Sequence, residues 1–232
     1  MIVRLAGIDG CKRGWVVVHW MADSRSAPIL DFTEDLDSFL VGSQIGLAVI
    51  DIPIGFSSGP QQRNVEAAMR KFLPGKTSSV FNTPCRQALY EKDYVTASAV
   101  NRDVVKVGLS KQTHAIFPKM REIDGLVRRA GQSRLREGHP EVSFAAMNGN
   151  RPVVSRKKDS AGESERIALL EAVGIPAKYL LDITRRLGAA RDDVLDAAAL
   201  IWTAGRLNAK GHLTFPPVPS RDLMGLEMSV VA

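Results

Sequence analysis

The sequence predicts an α/β fold, a mixed sheet flanked by helices, and three observations predict it. Short runs dense in Val, Leu and Ile, of strand length, open the chain and recur at GLAVIDIPIGF. Stretches of helical length, rich in Ala and Leu or patterned on one face, fill much of the remainder. Two of the apolar runs end on an acid, VRLAGID at Asp9 and GLAVID at Asp51. In open α/β sheets the carboxyl ends of the strands form the rim where ligands bind, so one crevice can receive both side chains.

Taken in order, strands are expected at Val3 to Asp9, Trp15 to Met21 and Pro28 to Phe32, with GCKRG as the first turn. TEDLDSFLVG reads as a short helix with Thr33 as N-cap and Gly42 as its stop, ahead of a buried strand from Gly46 to Ile52. The order is β-β-β-α-β. Residues 56–131 read as a mostly helical insertion within one domain spanning 1–232, with helices around Tyr94 to Val107 and Lys111 to Arg129. Pro118 lies inside the latter, so that helix must bend or restart near Phe117. Leu135 to Gly138 suits a short fifth strand, and Glu141 follows Pro140 as helix-start acids do. VVSRKKDSAGESERIALL begins as a polar, basic stretch suited to a mobile loop and then turns helical. Helices near Ala177 to Arg186 and Asp192 to Asn208 follow, and the three prolines of TFPPVPSRDLMG exclude a regular helix there.

With 232 residues, 45% of them hydrophobic, the chain can bury one substantial core. Its formal charge of +6 suits a polyanionic partner and equally suits plain solubility. Cys11 and Cys85 form no metal-binding spacing, which points to free thiols in a reducing compartment and away from zinc. Neither a leader nor a bilayer-length apolar stretch is visible, so a cytoplasmic protein without membrane association is expected.

Asp193 and Asp196, three apart in RDDVLDAAALIWTAGRL, share a helical face. Together with Asp9 and Asp51 they make a carboxylate set that would repel itself unless a cation compensates. Hard oxygen ligands from separate elements are what Mg²⁺ or Mn²⁺ needs, and Glu141 is a candidate fifth. Each acid also has a structural reading. Asp9 before Gly10, and Asp51 before Ile52 and Pro53, can close turns through side-chain hydrogen bonds. Asp192, Asp193 and Asp196 can be ordinary first-turn acids, and Glu141 and His139 can be helix-start and turn-packing residues.

GIDGCKRGWVVV, VIDIPIGF, SSVFNTPCRQAL, SKQTHAIFPKMREID, EGHPEVSF, SRKK with AGESERIALL, and RDDVLDAAALIWTA form an ordered series across nearly the whole chain. In this series the chain resembles an uncharacterised prokaryotic domain-of-unknown-function family described as predicted nucleases of the RNase H fold. The resemblance implies an RNase H-like sheet of order β-β-β-α-β-α with a helical insertion after the fourth strand. Nucleases of that superfamily carry acids on the first strand, the fourth strand and the final helix, places that correspond to Asp9, Asp51, Asp193 and Asp196. It implies phosphodiester hydrolysis by two Mg²⁺ or Mn²⁺ ions about 4 Å apart, Asp9 bridging them and Glu141 positioning water or a ligand. Lys12, Arg13, Arg86, Arg156, Lys157 and Lys158 are then candidates to meet phosphates of DNA or RNA, and each also suits a solvated surface. Arg166 equally suits a structural ion pair.

The same superfamily holds sugar kinases and actin-like ATPases, so a phosphotransferase or nucleotide hydrolase is the rival. In it Gly10, Lys12, Arg13 and Gly14 would form a phosphate-binding turn. Such enzymes pair two domains of this kind, which a homodimer would have to supply. A noncatalytic module binding nucleic acid or protein is the third reading. No P-loop, GxGxxG, GxSxG or HExxH occurs, and His19, His114, His139 and His212 are widely spread. Aromatics at 6%, without alternation with basic residues, give little support to single-strand stacking.

Overall fold

The computed structural model describes residues 3–21, 26–61, 63–187 and 189–232. In chain order the elements are β1 (Arg4–Cys11), β2 (Gly14–Met21), β3 (Ile29–Thr33), α1 (Leu36–Gly42), β4 (Leu47–Ile50), α2 (Val65–Phe72), α3 (Arg86–Leu89), α4 (Tyr94–Val105), α5 (Lys111–Ala115), α6 (Phe117–Ala130), β5 (Leu135–Gly138), α7 (Pro140–Met147), α8 (Ser160–Ala172), α9 (Ala177–Leu187), α10 (Arg191–Asn208), β6 (Thr214–Arg221) and β7 (Glu227–Val231). The chain is α/β and divides into two compact units: Met1–Asp51, Ser133–Leu213 and Val231–Ala232 form one, and Ile52–Gln132 with Thr214–Val230 the other.

In the first unit the strands lie in the order β3-β2-β1-β4-β5. β1 is antiparallel to β2 and parallel to β4, and β4 is parallel to β5, so the sheet is mixed. Side chains alternate across a strand, and Leu5, Gly7 and Asp9 therefore share one face. Val49, Val16 and Val18 lie on this face, in one core with Leu195, Ala197, Ala198, Ala199, Leu200 and Ile201 of α10. The helix presses so closely on β1 that a Cβ on Gly7 would collide with the Ala197 carbonyl oxygen and the Ile201 nitrogen. A glycine in β1 and a run of alanines in α10 make that approach possible. On the opposite face His19 of β2 meets Phe39 of α1 edge-on at 5.8 Å and bonds Asp31 of β3 at 2.8 Å.

Several boundaries differ from those expected. β1 runs past Asp9 to Cys11 because β2 keeps pairing with it, Asp9 opposite Val16 and Cys11 opposite Gly14. β4 stops at Ile50, one residue before Asp51. Thr33 is not the cap of α1: it ends β3 opposite Trp15, and Asp35 takes the cap by accepting from the Ser38 N–H at 3.0 Å. The helix does restart at Pro118, with α5 closing at Ile116 and α6 opening at Phe117.

The second unit contains α2 to α6 and the neighbouring strands β6 and β7. Its interior holds an ion-paired cluster. The Arg86 guanidinium donates to Asp124 at 2.7 Å and to Asp222 at 2.6 Å, and it lies over the Phe56 ring at 5.3 Å. Both carboxylates are fully buried. Tyr90 also donates its hydroxyl to Asp124, at 2.7 Å. These partners hold the Asp124 carboxyl below the usual carboxylate range although burial alone would raise it. Cys11 and Cys85 are free thiols.

Candidate metal centre

The first unit carries the sequence-selected acids. β1 and β4 are in parallel register with Ile8 beside Ile50, so the next residues, Asp9 and Asp51, stand on neighbouring strands. The Asp51 N–H donates to the Ile8 carbonyl at 3.1 Å, which holds that register one residue beyond β4. Both side chains leave the sheet on the face that α10 covers, since they continue the series Leu5, Gly7 and Leu47, Val49. The N-cap of α10 is Ala190, which has no capping side chain, and Asp192 and Asp193 lie in the first turn, where negative charge complements the helix dipole. Asp196, one turn further, immediately precedes Ala197, the residue lying over Gly7.

These acids influence one another electrostatically. Asp9 is 8% exposed, and the one hydrogen bond of its carboxyl among the described residues comes from the N–H of Gly10, at 2.9 Å. Burial, then the charges of Asp196, Asp51 and Asp193, push its carboxyl well above the usual range, and Lys157 offsets only part of that. Burial raises Asp51 as well; His139 and Lys157 pull it back, and Glu141 adds to the rise. Asp196 is raised to about 6 by burial, with Asp51 and Glu141 adding to the effect and Lys157 opposing it. Asp193, half-buried, is raised by burial and by Asp192 against the pull of Lys157 and Lys158.

Lys157, a candidate to meet phosphate or to sit on a solvated surface, donates from Nζ to Asp196 Oδ2 at 2.7 Å and lies 3.7 Å from Asp192. Burial works against the ammonium, yet Asp196, Asp9 and Asp192 outweigh it and keep the lysine charged. The segment carrying it, expected to be a mobile loop, is tied to α8. A Cβ on Gly162 would collide with the Arg156 carbonyl oxygen. Arg166, buried to 1% exposure, donates to the carbonyls of Gly162 at 3.0 Å and Ser155 at 3.3 Å. The same guanidinium lies over Phe144 at 5.4 Å and donates to Glu141 at 2.7 Å. Glu141 therefore has a structural cation, and Arg166 joins the Lys157 segment to α7.

The other basic candidates are dispersed. Lys12 and Arg13 are exposed on the β1–β2 turn, with Arg13 over the Phe32 ring at 5.8 Å. Arg156 and Lys158 are exposed, and Arg86 belongs to the second unit, in the buried cluster described above. Lys157, Lys158, Glu163, Arg191, Asp192 and Leu195 line a cavity of about 250 Å³ beside the acids. The structural ion pair given as one reading of Arg166 is present, with Glu141, whereas sequence reasoning missed the seat of Lys157 and Gly7. The last had a signal, a glycine within an apolar strand, which marks close backbone approach.

Among the described residues, no group of three or more His, Cys, Asp or Glu side chains stands ready as a metal-ligand set. No helix of the described residues is long and apolar enough to cross a membrane. A family model described as "Protein of unknown function (DUF429)" matches residues 7–221. The chain belongs to the DUF429 family. That match spans Asp9, Asp51, Glu141, Lys157, Asp193 and Asp196, so every member of the cluster lies within the DUF429 region of the chain. No curated protein and no solved structure matches this DUF429 chain.

Proposed function

We propose that this DUF429 chain is a metal-dependent phosphodiesterase that cleaves nucleic acid from an RNase H-like sheet. The observation that carries the reading is the placement of Asp9 and Asp51 on adjacent parallel strands, beneath the first turns of α10 with Asp193 and Asp196. The strand order β3-β2-β1-β4-β5 supports the architecture.

Two features of these residues favour a divalent cation. Asp9 is a buried carboxylate with no side-chain partner among the described residues, and its neighbours are hard oxygen donors of like charge. Asp9 and Asp51 would hold the ion, with Asp193 and Asp196 facing it from α10. A bound Mg²⁺ or Mn²⁺ would supply Lewis acidity toward a phosphoryl oxygen and lower the pKa of a water ligand. The chain's own part is to pre-gather charge. Packing of α10 on β1 keeps the carboxylates together, burial and then their mutual repulsion raise their pKa values, and the Arg166 brace holds Glu141 beside them. Exposed Lys12, Arg13, Arg156 and Lys158 would meet the phosphate backbone without base selection.

The test is titration calorimetry with Mn²⁺ and Mg²⁺ on wild type and on an Asp9→Asn, Asp193→Asn double variant, beside cleavage of labelled duplex, single-stranded and junction substrates. Binding and cleavage confined to wild type support the reading. Cleavage surviving in the double variant, or no metal binding by wild type with substrate present, overturns it.

A further inference from the structure

Within the carboxylate cluster, the charges are compensated unevenly. Asp196 has a cation in direct contact, the Lys157 ammonium at 2.7 Å, and Asp192 has the same ammonium at 3.7 Å. Asp9, 8% exposed, has only the Gly10 N–H. One positive charge is thus in direct contact with the α10 acids, and Asp9 on the strand side has no such contact among the described residues. The side chain is not there by chance of an exposed tether. The Arg156 carbonyl rests against Gly162 where no side chain fits, Asp159 bonds back to Arg156 at 3.0 Å, and buried Arg166 holds the Ser155 carbonyl. Both flanks of Lys157 are therefore fixed. Mg²⁺ commonly binds through one or two carboxylates and keeps the rest of its shell as water, so Asp9 and Asp51 suffice for one ion.

We propose that Lys157 is a resident cation standing in for a second metal ion, so that the site takes a single divalent ion on the Asp9–Asp51 side. The inference rests on the reading of this cluster as a metal centre and departs from a two-ion mechanism. Lys157 is a positioning residue here: it pairs with Asp196, lies close to Asp192, and leaves Asp9 as the carboxylate that demands a metal. Its ammonium has a fixed charge, unlike an exchangeable ion, so that half of the site stays compensated at any free metal concentration.

Mn²⁺ binding to the full chain, followed by calorimetry and by electron paramagnetic resonance, tests the count directly. Wild type should bind one Mn²⁺ and give the spectrum of an isolated ion. Lys157→Met should open the α10 side and bind two, with a spin-coupled signal, whereas Lys157→Arg should stay at one. Two coupled ions in wild type, a count that stays at one in Lys157→Met, or no Mn²⁺ binding by wild type, would overturn the proposal. Cleavage of labelled nucleic acid in the same samples separates the two readings. One ion without cleavage keeps the role of Lys157 and removes the nuclease, whereas two ions with cleavage do the reverse.

Discussion

Asp9 and Asp51 stand side by side, one residue beyond the last paired positions of β1 and β4, and both carboxyls titrate above their ordinary range. A folded-state pKa above the unfolded one means that the native protein holds its proton more tightly. The charged form therefore costs stability, a cost absent at low pH that appears as pH rises through the raised pKa. Asn in place of Asp9 cannot ionise, and its side-chain oxygen can still accept from Gly10. In chelator, Asp9→Asn should melt with wild type near pH 4 and above it at pH 8, by ~2–4 °C for each kcal/mol relieved. Saturating Mn²⁺ should reverse the order at pH 8. A melting temperature that drops in Asp9→Asn at pH 8 without metal would show that the carboxylate is compensated.

The second unit should respond in the opposite sense. Arg86 sits between two carboxylates with no exposure, and Arg86→Ala would leave both charges buried. The expected cost is about 3–5 kcal/mol in urea unfolding at pH 7, with Arg86→Lys recovering little because an ammonium cannot reach both carboxylates in a planar fork. The Asp124 carboxyl is held below its ordinary value, so its contribution is complete at neutral pH and is lost as pH falls through that lowered pKa. The gap between Arg86→Ala and wild type should therefore narrow on strong acidification. A gap independent of pH would assign the cost to packing against Phe56.

Arg166 links three pieces of the first unit, and its replacement has a readout separate from activity. Arg166→Met retains much of the apolar stem over Phe144 but loses the bond to Glu141 and the bonds to the Ser155 and Gly162 carbonyls. Removing one member of a buried ion pair typically costs about 3–5 kcal/mol. Amide exchange over residues 152–160 should quicken more than exchange in β1, because the carbonyls that anchor this segment lose their donor. Equal quickening in both places would mean that Arg166 supports the whole unit and not the Lys157 segment.

Locally encoded features of the fold were legible in the sequence. Leu135 to Gly138 was bounded by polar residues before it and Pro140 after it, and β5 has those limits. Pro118 dictated the restart of the helix at Phe117, since proline has no N–H for a helix interior. The acids on β1, after β4 and on α10 were visible as acids beside apolar runs, and the structure brings them into electrostatic contact. What sequence reasoning missed depends on partners distant in the chain. Thr33 and Asp35 are both good cap residues, and only the pairing of Thr33 with Trp15 decides between them. Lys157, in a basic run, resembles a surface cation until Gly162 and Arg166 tie its segment to α8 and its ammonium meets Asp196 of α10.

Gly7 joins fold and site most directly. An added Cβ would meet backbone atoms of Ala197 and Ile201, which cannot rotate away as a flexible side chain would, so α10 must shift. Overpacking of this kind costs about 1–3 kcal/mol. Because Asp193 and Asp196 ride on the same helix, the shift should also draw them from Asp9 and Asp51. Gly7→Ala is expected to unfold at lower urea than wild type and to lose most of its Mn²⁺ affinity, although no carboxylate has changed. Gly205→Ala, on the same helix where an added Cβ meets nothing within 4 Å, is the control and should keep that affinity. Unchanged Mn²⁺ binding in Gly7→Ala, with stability reduced as expected, would show that Asp9 and Asp51 hold the ion without help from α10.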